Sequence, residues 1–308
     1  MTFRFETTRR GMLLSAMAFG GLAACSKPQD NPAPASAGLT ASWPLGIQLW
    51  TVNAELDKDI PGTLKAIKDL GFELIETAGV RGASPAEYRK QIEDAGLKIR
   101  SAHTNMSKLI DGFDKEIADA VALGAEWLVA SSPKPGANFD PKKDWVVAMT
   151  ESMNADQWKF NADHINKMAP KVKAAGLKFA YHNHPMEFKD LGGGQTGEDI
   201  LVSAAPADQL RLELDIGWVA VGGADPAATI RKYADRVDLL HIKDMIQDPA
   251  EASGWRSVEV GAGVVKWAEV FAAAKEVGVK AWFVEQEAPY KKPILTSLAE
   301  SVTHLRKL

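Results

Sequence analysis

Residues 178–184 read KFAYHNH, residues 210–216 LRLELDI, residues 237–244 VDLLHIKD and residues 281–287 AWFVEQE. Four short apolar runs in succession therefore each close on acids, histidines or a lysine. Runs of this length bounded by helical pattern read as buried parallel strands. Working back toward the N-terminus, four more appear: LGIQLWT at 45–51, FELIETA at 72–78, IRSAHT at 99–104 and WLVASS at 127–132. Between the runs lie stretches of helical period, among them PGTLKAIKDLG, SPAEYRKQIEDAGLK, FDKEIADAVALGA, WKFNADHINKMAPKVKAAGLK, DPAATIRKYAD and VVKWAEVFAAAKEVGVK, several closing on glycine. Strict alternation implies a parallel sheet with right-handed crossovers. Eight repeats in roughly 265 residues predict an α/β fold, a single (β/α)8 TIM barrel, where an open doubly wound sheet needs fewer strands. No GxGxxG follows the first run. The insert from Pro133 to Asp156 and the loop from Lys189 to Gly197, with Gly192, Gly193 and Gly194 in a row, exceed a minimal turn. In a barrel such loops build the active-site face.

The remaining sequence bounds the compartment and the partners. The 308 residues carry a formal charge of −4, and the first 25 contribute +2 (Arg4, Arg9 and Arg10 against Glu6), which leaves −6 on the rest. That balance argues against a protein that tracks nucleic-acid phosphates. Arg9 and Arg10 precede an apolar, Gly/Ala-rich stretch from Gly11 to Ala24, the form of an export signal, and Leu22-Ala23-Ala24-Cys25 resembles a lipobox. Cys25 is the single cysteine, so no intramolecular disulfide exists. Residues 1–25 are thus expected to be a twin-arginine, lipoprotein-type signal and 26–44, rich in Pro, Ala, Ser and Asn, a flexible linker. The barrel is expected over 45–308, held at the membrane through a lipid on Cys25, in the periplasm or cell envelope.

In a barrel, polar side chains at or just beyond the carboxyl ends of strands converge on one mouth. Glu76, His103, His182, Asn183, His184, Glu187, Asp215, His241, Lys243, Asp244, Glu285 and Glu287 all occupy such positions, so four of the six histidines lie there. A single acid at a strand end is commonly a helix cap or an ion-pair partner. Acids and histidines closing four consecutive strands point instead to one divalent ion. Mixed imidazole and carboxylate donors favour Mn, Fe, Co or Zn over Mg or Ca. Glu76 and His103 can hydrogen-bond sugar hydroxyls or cap the barrel mouth. Trp50 and Trp218 can stack on the apolar face of a sugar ring or fill the barrel top. Gly261 and Gly263 read as a turn before a helix, since the rest of a phosphate loop is missing.

These residues carry a resemblance. GIQLWTV at 46–52, YHNHPMEF at 181–188, LELDIGWV at 212–219, LLHIKD at 239–244, VGAGVVKW at 260–267 and WFVEQE at 282–287 are similar to the xylose isomerase-like (sugar phosphate isomerase/epimerase) TIM-barrel superfamily, which also includes endonuclease IV. The likeness runs from Leu45 to Leu308. It implies a metal held by His182, Asp215, His241 and Glu285, with His182 standing where members often place a glutamate. The substitution removes one carboxylate, and Glu187 is the alternative ligand or base at that strand.

The expected function is metal-assisted proton abstraction beside the carbonyl of a sugar or keto-sugar, leading through an enediolate to isomerisation, epimerisation or elimination. Glu285 or Glu187 is the expected base, Lys243 stabilises the enolate or pairs with Asp244, and His184 joins this catalytic group. With no phosphate cradle in sequence, the substrate is expected to be a free sugar or keto-glycoside. A non-catalytic periplasmic sugar-binding barrel and an endonuclease IV-like phosphodiesterase are the alternatives. Mass spectrometry of the native protein tests the processing: a lipid-modified Cys25 at the mature N-terminus is expected, and an unmodified Met1 in the cytosol contradicts it.

Overall fold

Every one of the eight apolar runs forms a strand. They are β1 Gly46–Gln48, β2 Leu74–Ala78, β3 Lys98–Thr104, β4 Trp127–Ala130, β5 Lys178–His182, β6 Arg211–Asp215 and β7 Val237–Ile242, then a hairpin of β8 Asp244–Gln247 and β9 Trp255–Val258, and last β10 Ala281–Val284. In this computed structural model the described residues are Gly38, Thr40 and 43–308. The expected signal with Cys25, and most of the expected linker, lie outside the described residues. The strands other than the hairpin pair in parallel and close in the order β1-β10-β7-β6-β5-β4-β3-β2, the expected (β/α)8 barrel.

Side chains alternate across a strand, so every second residue enters the barrel. Leu74, Trp127, Val129, Ala180, Leu239, Ala281 and Phe283 form a separate buried cluster inside the ring. Trp127 is fully buried at the start of β4, with Arg100 4.8 Å and Lys178 4.3 Å from its ring centre. Gly46 is required on β1 because a Cβ there would stand 2.3 Å from the Trp282 carbonyl oxygen and 2.7 Å from the Phe283 ring. The apolar filling thus occupies one end of the barrel and leaves the carboxyl end to polar side chains.

Outside the ring, helices Ile60–Asp69, Pro85–Asp94, Ala155–Ala174, Pro226–Lys232 and Trp267–Val277 match the helical stretches of the sequence. Side chains of Asp59, Ser84, Asn154 and Asp225 accept first-turn amides, and Trp267–Val277 ends on Gly278 in the left-handed region at φ 78°. The chain before β1 is also docked: Thr40 Oγ1 donates to the Leu305 carbonyl at 2.9 Å, and the Trp43 and Phe271 rings lie 6.2 Å apart. Among the described residues no helix is long and apolar enough to cross a membrane.

The hairpin is an addition that the sequence reading missed, and it corrects the role of Asp244. Buried at the start of β8, Asp244 does not pair with Lys243. Its carboxylate accepts the amides of Gly261 at 2.9 Å, Gly263 at 3.1 Å and Val265 at 3.1 Å and the Trp267 indole N–H at 2.9 Å. Gly261 and Gly263 are therefore the expected turn before a helix, folded around one carboxylate. Asp244→Ala leaves these donors buried without an acceptor, at about 1–3 kcal/mol for each that water cannot reach. A loss of about 3 kcal/mol or more is expected, read as a drop in Tm on the order of 10 °C; a variant melting with the wild type would show that the loop does not depend on Asp244.

Candidate active site

Period-two alternation decides which titratable groups meet. On β6 Arg211, Glu213 and Asp215 share the inward face. The register pairs Glu213 with His182 of β5 and Asp215 with His241 of β7. Beyond them, Lys243 follows β7, Glu285 and Glu287 follow β10, His103 lies on β3 and Glu76 on β2. Asn183 ties β5 to β6, its Oδ1 accepting the Asp215 amide at 2.9 Å and its Nδ2 donating to the Asp215 carbonyl at 3.3 Å. Asp215 and His241 are therefore fixed by backbone before any ligand arrives.

Of the expected metal set, all four members come together: one donor atom each from His182, Asp215, His241 and Glu285 lies within 4.8 Å of the others. His241 Nδ1 stands 2.7 Å from Glu285 and 3.8 Å from Asp215, while His182 Nε2 is 4.0 Å from Asp215. Lys243, fully buried, places Nζ 2.8 Å from Asp215, 3.0 Å from Glu285 and 2.5 Å from Glu287. Glu213, which the sequence reading did not single out, joins His103, His182 and His241 in a second such group. The missed signal was the two-residue step from Asp215 back along LELD.

The pocket above these groups has a volume of about 460 Å³. His103, His182, His184, Glu285 and Glu287 form its polar wall, and Trp50 and Trp145 stand on it as well. Trp50 is half exposed, and Trp145 meets the His184 ring edge-on at 4.7 Å. Trp145 went unrecognised because it opens a short helix, Trp145–Ser152, inside the long insert.

Three expected site residues lie elsewhere. Glu187 is turned into the protein, where it accepts the Tyr181 hydroxyl at 2.7 Å and the His184 amide at 3.0 Å, so it orients His184 and does not reach the pocket. Burial pushes its carboxyl well above the usual range. Trp218 is buried against Lys243, whose Nζ is 4.8 Å from its ring centre, and so shields an ammonium where sugar stacking was expected. Glu76 is buried beneath the wall and binds His241 Nε2 at 2.5 Å, Gln48 Nε2 at 2.7 Å and the Ser101 hydroxyl.

Electrostatics divide the histidines. Burial opposes charge on all of them. At His103 the adjacent Glu76 and Glu213 outweigh it and push the pKa up to about 9. His241 is likewise raised well above the usual imidazole value, against burial, by Glu213, Glu285 and Glu76. At His182 and His184 burial, reinforced by nearby imidazoles and Lys243, prevails, over Glu285 in the case of His184, and holds both well below it. Burial lifts Asp215 to about 6 in spite of Lys243 and His241, whereas at Glu285 those two cations overcome burial and lower the carboxyl. One wall therefore carries neutral and charged imidazoles side by side.

Comparison with known proteins places the chain in a family. The family model described as xylose isomerase-like TIM barrel matches residues 64–308. An inosose dehydratase of Geobacillus kaustophilus is 19% identical over 260 residues, covering 74% of this chain and 83% of that protein. A second, from Clostridium beijerinckii, is 34% identical over 192 residues, 59% of this chain and 62% of its own length. A crystal structure of a sugar phosphate isomerase/epimerase from Parabacteroides distasonis superposes with a TM-score of 0.69 at 25% identity, covering 90% of this chain and 97% of that one. With the barrel and the polar carboxyl end already described, the chain belongs to the xylose isomerase-like TIM-barrel family.

Proposed function

We propose that this protein is a divalent-metal dehydratase for small cyclic ketones of the sugar type: it removes the proton beside the carbonyl and expels a β-hydroxyl as water. That it is an enzyme of the sugar isomerase, epimerase and dehydratase kind follows from its family and relatives. What favours dehydration is the likeness to inosose dehydratases, together with a pocket wall on which His184 is held below and His103 raised above the usual imidazole value. Groups whose environments drive their pKa values apart divide into base and acid.

His184, oriented through its amide by Glu187, takes the proton from the carbon beside the carbonyl. The C–H electron pair moves into an enolate; as it collapses, the carbonyl re-forms, a carbon–carbon double bond forms to the β-carbon, the β C–O bond breaks, and His103 delivers its proton to the hydroxyl, which leaves as water. His103 Nε2 faces Glu213 at 2.5 Å and Glu76 at 3.0 Å, which leaves Nδ1 for the pocket. Glu285, the expected base, is already engaged by His241 and Lys243.

His182, Asp215, His241 and Glu285 suit a borderline divalent ion: two imidazoles and two carboxylates, with His182 held in the neutral form a ligand needs. When bound, such an ion supplies polarisation of the carbonyl oxygen. Lys243, shielded by Trp218, adds a fixed positive charge beside it, and Trp50 and Trp145 offer apolar faces for the ring. Residence in the cell envelope, with a lipid on Cys25, completes the reading. It rests on the arginine pair and the lipobox, and with it goes an unphosphorylated substrate such as an inosose, whose β-carbon carries a hydroxyl.

The test incubates Mn-loaded protein in deuterated water with inososes and follows exchange and water loss by NMR. Loss of water with prior or concurrent α-exchange is expected; ligand binding without either leaves a binding barrel. His184→Gln should lower kcat by about 100-fold or more. For pH, His103 must be protonated to act as acid, so activity is lost as pH rises through its pKa. kcat/KM should hold through neutral pH and fall about tenfold per unit above pH 9. A profile still level at pH 10 would remove His103 from the reaction.

A further inference from the structure

His182 and His241 each lie between two carboxylates of β6, and each offers a different ring nitrogen to each. His182 points Nδ1 at Glu213, 3.5 Å away, and Nε2 at Asp215, 4.0 Å away. His241 does the reverse, with Nε2 3.2 Å from Glu213 and Nδ1 3.8 Å from Asp215. His103 Nε2 adds a third imidazole to Glu213 at 2.5 Å. One carboxylate oxygen, Glu213 Oε2, is thus faced by nitrogens from β3, β5 and β7. Around it, His182 Nδ1 and Glu213 Oε1 are buried with no hydrogen-bond partner. Buried polar atoms of this kind are costly unless something meets them.

We infer that His103, His182, Glu213 and His241 form a second cation site, suited to zinc, that is alternative to the Asp215 site and is never filled together with it. The donor chemistry gives the selectivity. Three imidazoles and one carboxylate match four-coordinate zinc, while two carboxylates with two imidazoles suit manganese. Exclusivity follows from the imidazole itself. A neutral ring has one lone-pair nitrogen, and the other nitrogen carries a proton.

An ion at Asp215 takes Nε2 of His182 and Nδ1 of His241, so the opposite nitrogens carry protons toward Glu213. In that state His241 Nε2 would donate to Glu76, which lies 2.5 Å from it. An ion at Glu213 takes those nitrogens instead and moves both protons to the Asp215 side. Filling both sites would require each shared ring to lose its last N–H proton. Zinc at Glu213 would also occupy His103; if the dehydration reading holds, the zinc form is therefore inactive.

Crystals of the wild-type protein equilibrated with Zn(II) alone and with Mn(II) alone, each mapped by its anomalous signal, test the site directly. Zinc is expected among His103 Nε2, His182 Nδ1, Glu213 and His241 Nε2, and manganese among His182 Nε2, Asp215, His241 Nδ1 and Glu285. In solution, Asp215→Asn should weaken manganese binding by about 100-fold or more and leave zinc within about tenfold, with Glu213→Gln doing the opposite. Zinc found at Asp215, zinc in neither place, or one ion filling both sets at once overturns the inference. Zinc at Glu213 together with a manganese form that converts no ketone would sink the dehydration and leave this site standing. Zinc at Asp215 in an active enzyme would do the reverse.

Discussion

Alternate residues of a parallel strand enter the barrel, and this one constraint puts Glu213 and Asp215 on the same face of β6, about 6.6 Å apart along the strand. Five carboxylates then crowd this end: Asp215, Glu285 and Glu287 around the Lys243 ammonium, and Glu76 and Glu213 against His103 and His241. Before any imidazole takes a proton, that leaves four negative charges in a region closed to water on most sides. Charges in such a place cost several kcal/mol each unless paired. Imidazolium protons and a divalent ion are the two means of pairing them that these side chains allow. The polar end of the barrel is therefore a place where protons and a metal substitute for one another.

The same constraint explains the division of labour among the histidines. His103 and His241 have carboxylates within 3.0 Å on two sides and are raised toward the charged form. The carboxylates facing His182 stand 3.5–4.0 Å away, and burial with nearby cations holds His182 and His184 toward neutral. Residues that never meet a substrate keep this pattern in place. Asn183 fixes Asp215 through the backbone, Glu187 holds the His184 amide, and Trp218 covers Lys243. Removing any of them would disturb the site while leaving the pocket wall chemically intact.

Much of this was legible in the sequence, because both the barrel and its mouth follow from short-range patterns. All eight barrel strands fall on the apolar runs, β3 starting one residue earlier at Lys98, and His182, Asp215, His241 and Glu285 meet as the family resemblance implied. What was missed depends on direction and depth. Glu213 lies inside a run that reads as core, and only strict alternation back from Asp215 exposes it as an inward acid. Glu187 sits only five residues past His182, but the turn at Pro185–Phe188 carries it to Tyr181 and away from the pocket. The β8–β9 hairpin has no strong period of its own and is set by pairing and by the Asp244 hub. Trp145 comes from an insert whose path no local pattern predicts.

The claim on which the chemistry rests is the coexistence of charged and neutral imidazoles on one wall, and ring-nitrogen NMR reads it without substrate or mutation. In long-range proton–nitrogen correlation spectra of the metal-free protein at about pH 7.5, His103 is expected as an imidazolium with both ring nitrogens protonated. His182 and His184 are expected as neutral rings, each with one protonated and one bare nitrogen. A neutral His103 at that pH, or a charged His184, would contradict the division into acid and base.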